Sequence, residues 1–380
     1  MSERNAPAVD VAVIGGGVIG LSVAWRARAH GLSVVVLERG AAGGGTTSVA
    51  AGMLAPIAEA TPTEEPLLEL GLRSARLYPE FVRGLGDAGY SRCGTLLLAR
   101  DADEAQALER ELALRERYGL AVERLLASGA RRLEPGLAPA LRLALAIPDD
   151  HAIDPRRLTA AVAAAFRDSG GTLREHTEVA GLCVGEGGVS GVRLHGGEEL
   201  RAGAVVIAAG AWSADLDGLP EAGQPPLRPV KGQILRLHDP AGPGLLTRVV
   251  RMGGAYIVPR GDGRYVIGAT SEERGFDTTV TAGAAFELLR EATELVPGVS
   301  ELVLDEFSAG LRPGTADNLP VIGPGSLSGL HWATGHGRSG ILLAPVTAEI
   351  VCAGLLGEAT DPLAATFTAG RFAASAVSPA

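Results

Sequence analysis

The sequence predicts a two-part α/β and α+β fold, in which a Rossmann-like domain built from separate stretches of chain is interleaved with a second domain that has its own sheet. Three observations carry this. A strand, glycine turn, helix and second strand follow one another between Asp10 and Glu38; strand-like pieces cluster between Leu227 and Leu304; and strand, glycine turn and helix return together near the end of the 380 residues. A chain of this length, 46% hydrophobic, has ample material for two cores.

The first unit is the most legible. Asp10 to Ile14 reads as a strand buried on both faces, Val18 to His30 as a helix, and Ser33 to Leu37 as a second apolar strand. Between the first strand and the helix, "VIGGGVIG" spaces Gly15, Gly17 and Gly20 as GxGxxG. That spacing gives a tight turn, close backbone approach and helix–strand packing, and its free N–H groups meet the phosphates of a dinucleotide. Glu38 stands 18 residues beyond Gly20, close to the separation at which an acidic side chain reaches a ribose hydroxyl.

Next comes "GAAGGGTTSVAAGMLAP", Gly40 to Pro56, small residues with almost no charge, past which a planar ligand can lie close to the backbone. A helical pattern then places Leu67, Leu68, Leu72, Ala75, Tyr78 and Phe81 on overlapping faces. Asp101 with Glu104 opens another helix to about Tyr118. Asp154 caps a helix whose first residue is Pro155 and whose stop is Gly170–Gly171. From Thr172 to Ala209 short apolar runs and turns suggest a β-meander ending in "AVVIAAGAW", a run apolar enough to join the sheet begun at Asp10. Beyond it, "QILRL", "AYIVP" and "RYVIGAT" read as strands of the second domain, with one helix over Ala282 to Leu295.

The last portion, "GLHWATGHGRSGILLAPVTAEIVCAGL", repeats the glycine spacing at Gly335, Gly337 and Gly340. Glu358 lies 18 residues past Gly340, the same separation as in the first motif, but it follows a long helical run with no intervening strand. A second βαβ unit does not fit. This turn is better suited to a ring that gains negative charge on reduction, such as a flavin, than to a second nucleotide.

Bulk properties narrow the partners. A net charge of −10 without a basic tract argues against nucleic acid and anionic membranes and leaves a small molecule. Three scattered cysteines, Cys93, Cys183 and Cys352, show no metal spacing. With an N-terminus, "MSERNAPAVD", lacking the apolar core of a secretory signal, they point to a reducing cytoplasm. The apolar run Ile341 to Leu356 is short for a membrane span and is interrupted by Pro345 and Glu349, so it reads as a buried helix. Lys231 is the only lysine among 34 basic residues, which an arginine-favouring codon bias explains as well as a special role does.

Five segments, "DVAVIGGGVIGLSVAW", "TTSVAAGMLAP", "AYIVPRGDGRYVIGAT", "AGLRPGTADNLPVIG" and "GHGRSGILLAPVTAEI", resemble the amino-acid oxidase branch of the FAD-dependent oxidoreductases. This is the D-amino acid oxidase and sarcosine oxidase group, and the resemblance is greatest to the glycine oxidases of thiamine biosynthesis. It extends from Asp10 to Ile350. It implies a discontinuous FAD-binding domain (1–75, 150–225 and 305–370) and a substrate-binding domain (76–149 and 226–304). Gly15, Gly17, Gly20 and Glu38 would hold the FAD pyrophosphate and ribose, and Val179 would touch the adenine side. Ala51, Gly52 and Met53 would run beside the isoalloxazine, with Gly337, Arg338, Ser339 and Gly340 at its pyrimidine edge. Arg312 would grip the substrate carboxylate, helped by Tyr256 and Arg338. Independently of the resemblance, an arginine fork suits both oxygens of a carboxylate. A structural ion pair is the competing reading for Arg312 and Arg338, and a core aromatic for Tyr256.

The activity implied is oxidation of glycine, or of sarcosine, D-alanine or D-proline, by noncovalent FAD and oxygen. The products would be an imine or 2-oxo acid, ammonia and hydrogen peroxide, with the glycine imine supplied to thiazole synthesis. No residue is expected to act as acid or base, no metal is expected, and a homo-oligomer is compatible with all of this. Some glycine oxidases carry a bulkier residue at the position of Ser271 and a polar ring at that of Gly254, two changes that could open the pocket and that leave substrate size undecided between glycine and the larger amines. The alternatives are a D-amino acid dehydrogenase that reduces a membrane quinone, and a noncatalytic FAD-binding protein.

Overall fold

The computed structural model describes residues 9–220, 223–359 and 361–372; the N-terminal stretch considered for a leader lies mostly outside them. Strand Val9–Ile14 is the centre of the first sheet. It pairs in parallel with Val34–Leu37 on one side and Glu199–Ile207 on the other. Thr172–Arg174 extends the sheet beyond Val34–Leu37, and Leu330–Thr334 pairs with the far half of Glu199–Ile207 and carries the antiparallel Val321–Pro324. The hairpin Val179–Gly185 and Gly188–Leu194 continues from the near half of that same strand. The expected joining of "AVVI" to the opening strand is therefore found, with Val205 beside Ala12 and Ile207 beside Ile14.

Helix Val18–Ala29, helix Pro155–Asp168 and helix Gly340–Leu356 pack one face of this sheet, sharing a core with helix Glu65–Arg83 through Leu21, Val162, Leu70, Tyr78, Leu343 and Val351. Asp154 caps the second of these as expected, accepting the N–H of Arg156 at 3.0 Å. With its leading turn, the last helix runs Gly337–Leu356, 20 residues, long and apolar enough by composition to cross a membrane. The length expected from sequence was an underestimate. Burial against helices Val18–Ala29 and Glu65–Arg83 explains its apolar surface.

The second sheet has eight strands in the order Val303–Gly314, Arg228–His238, Arg264–Gly268, Ala255–Pro259, Val249–Met252, Thr95–Ala99, Leu143–Ile147 and Glu123–Leu126. Its core is closed by helix Ala282–Leu295, whose bounds match those expected. Two expected domain boundaries move. Strand Val303–Gly314 pairs with Arg228–His238 over nearly its whole length, so a boundary at 305 would cut through a strand of the second sheet. Helix Glu65–Arg83 runs through the boundary at 75, and its Tyr78 and Phe81 belong to the first core. A three-stranded sheet of Met53–Leu54, His151–Ile153 and Tyr90–Ser91 lies between the two.

Candidate active site

Between the sheets lies a cavity of about 650 Å³. Gly15, Gly17, Glu38 and Val179 line one end and Tyr256 and Arg312 the other, with Ala51–Met53 and Gly337–Gly340 between. At the first end, Gly15 has φ +108° and lies against the next strand, where a Cβ would sit 2.4 Å from the Ala208 carbonyl oxygen. Gly17 caps the helix without any side-chain hydrogen bond, although Thr47 Oγ1 accepts the Val18 N–H at 3.2 Å. The helix thus offers backbone donors to the cavity. Gly20 does not reach the cavity surface. It acts one step behind, letting the helix close on the Gly15 carbonyl, 2.0 Å from where a Cβ would be.

Glu38 closes the strand end onto this turn. Its Oε2 accepts the Gly16 N–H at 2.7 Å and its Oε1 the Gly40 N–H at 2.8 Å, which leaves lone pairs on both oxygens facing the cavity. Beside it the Arg39 guanidinium lies 3.9 Å over the Trp212 ring, and Trp212 stacks on Phe276. This aromatic wall was not foreseen, because Arg39, Trp212 and Phe276 come together only in the fold.

At the second turn Gly335 and Gly337 have φ +73° and +53°, and the helix begins at Gly340. Between them His336 is buried and its Nε2 meets Thr347 Oγ1 at 2.9 Å. Burial pushes its pKa down to about 3, so the ring is neutral and braces the turn against its own helix.

At the far end Arg312 projects from the long strand over Gly232, where a Cβ would come within 2.4 Å of its Nη2. Its Nη1 donates to the Thr270 carbonyl at 3.1 Å, and among the described residues no carboxylate pairs with it. The ion-pair reading therefore fails for Arg312. It holds for Arg338, which bonds Glu64 and lies 3.5 Å from Glu59 while still lining the cavity. Tyr256 faces the cavity with its hydroxyl against Gly268; burial raises the phenol above its ordinary value of 10.0, against the pull of nearby Arg312, so it is a neutral donor. Ser271 and Gly254 both line this end, and Gly254 has nothing within 4 Å of a would-be Cβ. Lys231 lies outside the cavity, buried and paired with Asp277 at 2.9 Å, and so holds the 271–281 segment to the sheet.

A glycine turn at a helix start, an acid at the next strand end and a cavity running from there to an arginine without a carboxylate partner among the described residues suit a dinucleotide-dependent oxidoreductase. Residues 10–353 match the family of FAD dependent oxidoreductases, and the chain belongs to it. It is 38% identical to the glycine oxidase of Geobacillus kaustophilus over 90% of this chain and 91% of that one. A crystal structure of glycine oxidase from that organism superposes with a TM-score of 0.89 at 36% identity, covering 96% of this chain and 98% of the other. The bifunctional protein ThiO/ThiG of Trichormus variabilis is 36% identical over 96% of this chain, which spans 55% of that longer protein. The cofactor is FAD, and the residues present fit it: a glycine turn at a helix start whose N-cap brings no side-chain hydrogen bond, with the Glu38 carboxylate lining the cavity beside it.

Proposed function

We propose that the chain is a glycine oxidase that also accepts small amines such as sarcosine, D-alanine or D-proline, and that in the cell it supplies the glycine imine for thiazole synthesis. The observation that carries this is Arg312, a half-buried guanidinium that lines the flavin-family cavity, donates to a neutral carbonyl and has no carboxylate partner among the described residues. Such a cation is satisfied by a carboxylate that arrives with the substrate, each charge-assisted hydrogen bond contributing about 1.5–3 kcal/mol. Tyr256 adds a neutral donor beside it.

FAD bound here supplies two-electron chemistry, taking a hydride equivalent from the substrate carbon and passing both electrons to oxygen. The chain's part is to bind and orient. Arg312 and Tyr256 fix the carboxylate, which leaves the α-carbon one bond away as the atom to be presented. No acid or base among the cavity residues is required once the amine enters neutral, because position alone supplies much of the barrier reduction. For glycine and D-alanine the overall balance is amino acid, oxygen and water to 2-oxo acid, ammonia and hydrogen peroxide; sarcosine would release methylamine in place of ammonia, and D-proline would give its cyclic imine. Backbone at Gly15, Gly17 and Val179, with Glu38, would hold the nucleotide half, and Ala51–Met53 and Gly337–Gly340 the ring. Three unpaired cysteines support a cytoplasmic setting.

The test is peroxide release with glycine, sarcosine, D-alanine and D-proline. Arg312→Ala should weaken substrate binding by about 3 kcal/mol, roughly a hundredfold, with FAD retained. Unchanged kinetics would remove Arg312 from the site. Flavin reduction by substrate without peroxide in air would favour the dehydrogenase.

A further inference from the structure

Five arginines line the cavity; Arg39 lies over the Trp212 ring and Arg228 pairs with Glu273, which leaves the guanidiniums of Arg251, Arg312 and Arg338 to act on a substrate. Left alone, they would favour a substrate bearing two or three negative charges. Glu59 prevents this. Its Oε1 lies 3.2 Å from Arg251 Nη1 and its Oε2 3.5 Å from Arg338 Nε, one oxygen to each arginine. Arg338 is further matched by Glu64, leaving Arg312 as the unmatched cation of the three.

We infer that Glu59 determines substrate charge, restricting the site to amines with a single carboxylate; this rests on the amine-oxidase reading above. Arg251 stands directly across the strand pair from Tyr256, so without Glu59 it would offer a second substrate carboxylate a cation close to the first. As it is, that carboxylate would meet the Glu59 carboxylate instead. That side chain is only 18% exposed, and like charges at such a site are poorly screened.

Nor can Glu59 easily withdraw. The N–H groups of Ile57 and Ala58 donate to the Asp150 carboxylate at 3.1 and 2.5 Å. The buried Arg115 guanidinium donates to the carbonyls of the same two residues at 2.9 and 2.8 Å. The backbone just before Glu59 is gripped from both sides, and its carboxylate stays where a second substrate charge would have to go.

The test uses the FAD-loaded protein and two pairs of ligands that differ by one carboxylate. Acetate and malonate are titrated against the flavin spectrum, which needs no turnover, and D-alanine and D-aspartate are compared as substrates. The wild type should bind acetate at least tenfold more tightly than malonate. Glu59→Gln should raise the kcat/KM ratio of D-aspartate to D-alanine at least tenfold and shift the acetate–malonate preference the same way, while Glu59→Asp keeps the wild-type ratios. Ratios for Glu59→Gln within twofold of wild type would overturn the inference. If that variant does not fold, malonate binding the wild type as tightly as acetate would overturn it. A wild type that discriminates the two carboxylates yet oxidises no amine would leave the charge inference standing and remove the amine-oxidase reading.

Discussion

At the N-terminal glycine turn a Cβ on Gly15 would lie 2.4 Å from the Ala208 carbonyl oxygen, and one on Gly20 would lie 2.0 Å from that of Gly15. At the C-terminal turn Gly337 faces open space and Gly340 meets nothing nearer than the His336 Cβ, 3.6 Å away. In the first turn Gly15 and Gly20 pack backbone on backbone, so a side chain at either would displace a strand or the helix, and Gly15 is left-handed besides, with φ +108°. The second is glycine because Gly335 and Gly337 are left-handed, with φ +73° and +53°, and its third glycine is an ordinary first residue of a helix. One spacing thus has two physical origins. In the first, sterics bring a helix start against the sheet; in the second, backbone conformation aims a helix start at the middle of the cavity.

Substitutions separate the two origins. Gly20→Ala should have the largest effect, costing about 3 kcal/mol or more, since the nearest atom is backbone and overpacking of that kind is relieved only by displacing the helix. Thermal melting and the FAD content of the purified protein would show it, and a variant that melts like the wild type with full FAD would break the steric account.

A change of pH should be felt through the second turn. His336 is held neutral with a pKa near 3 against an ordinary 6.5, so it contributes stability that is complete above pH 6.5 and is lost as the pH falls from there towards 3. The loss amounts to roughly 1.4 kcal/mol per pH unit within that window. Melting temperatures of the wild type and His336→Gln should therefore converge from pH 6.5 to 5 and run parallel above 7.

Gly337→Ala should cost about 1–2 kcal/mol for a side chain in the left-handed region while leaving FAD bound. Gly340→Ala should be neutral or stabilising by about 0.5–1 kcal/mol, as for glycine replaced in a helix. Equal damage at Gly20 and Gly340 would show that the shared spacing has one cause after all.

How much of this could be read in the sequence depended on distance along the chain. The opening βαβ unit, Glu38, the Asp154 cap and the helix Ala282–Leu295 were legible because each depends on neighbours within one or two elements. Strands Thr95–Ala99 and Leu143–Ile147 were not. Their runs "TLLLA" and "LALAI" are almost wholly buried, so no alternation marks them, and each pairs with the other across two helices and a strand. The strand that carries Arg312 was hidden by Gly310, Pro313 and Gly314, residues that argue against a strand until a long partner supplies the pairing. The cavity residues named from sequence do line it, apart from Gly20, since they sit on motifs. Glu59, Arg251, Trp212 and Arg39 escaped notice because their significance lies in contacts with residues far along the chain, such as Glu59 with Arg251 and Arg338.

The central claim is that both glycine turns serve one FAD whose substrate end is closed by Arg312. The most direct measurement is to count FAD in the purified protein and to add glycine without oxygen. One FAD per chain, bleached by glycine in the wild type but not at the same concentration in Arg312→Ala, is the expected result. Two nucleotides per chain, no flavin, or equal bleaching in both proteins would contradict it.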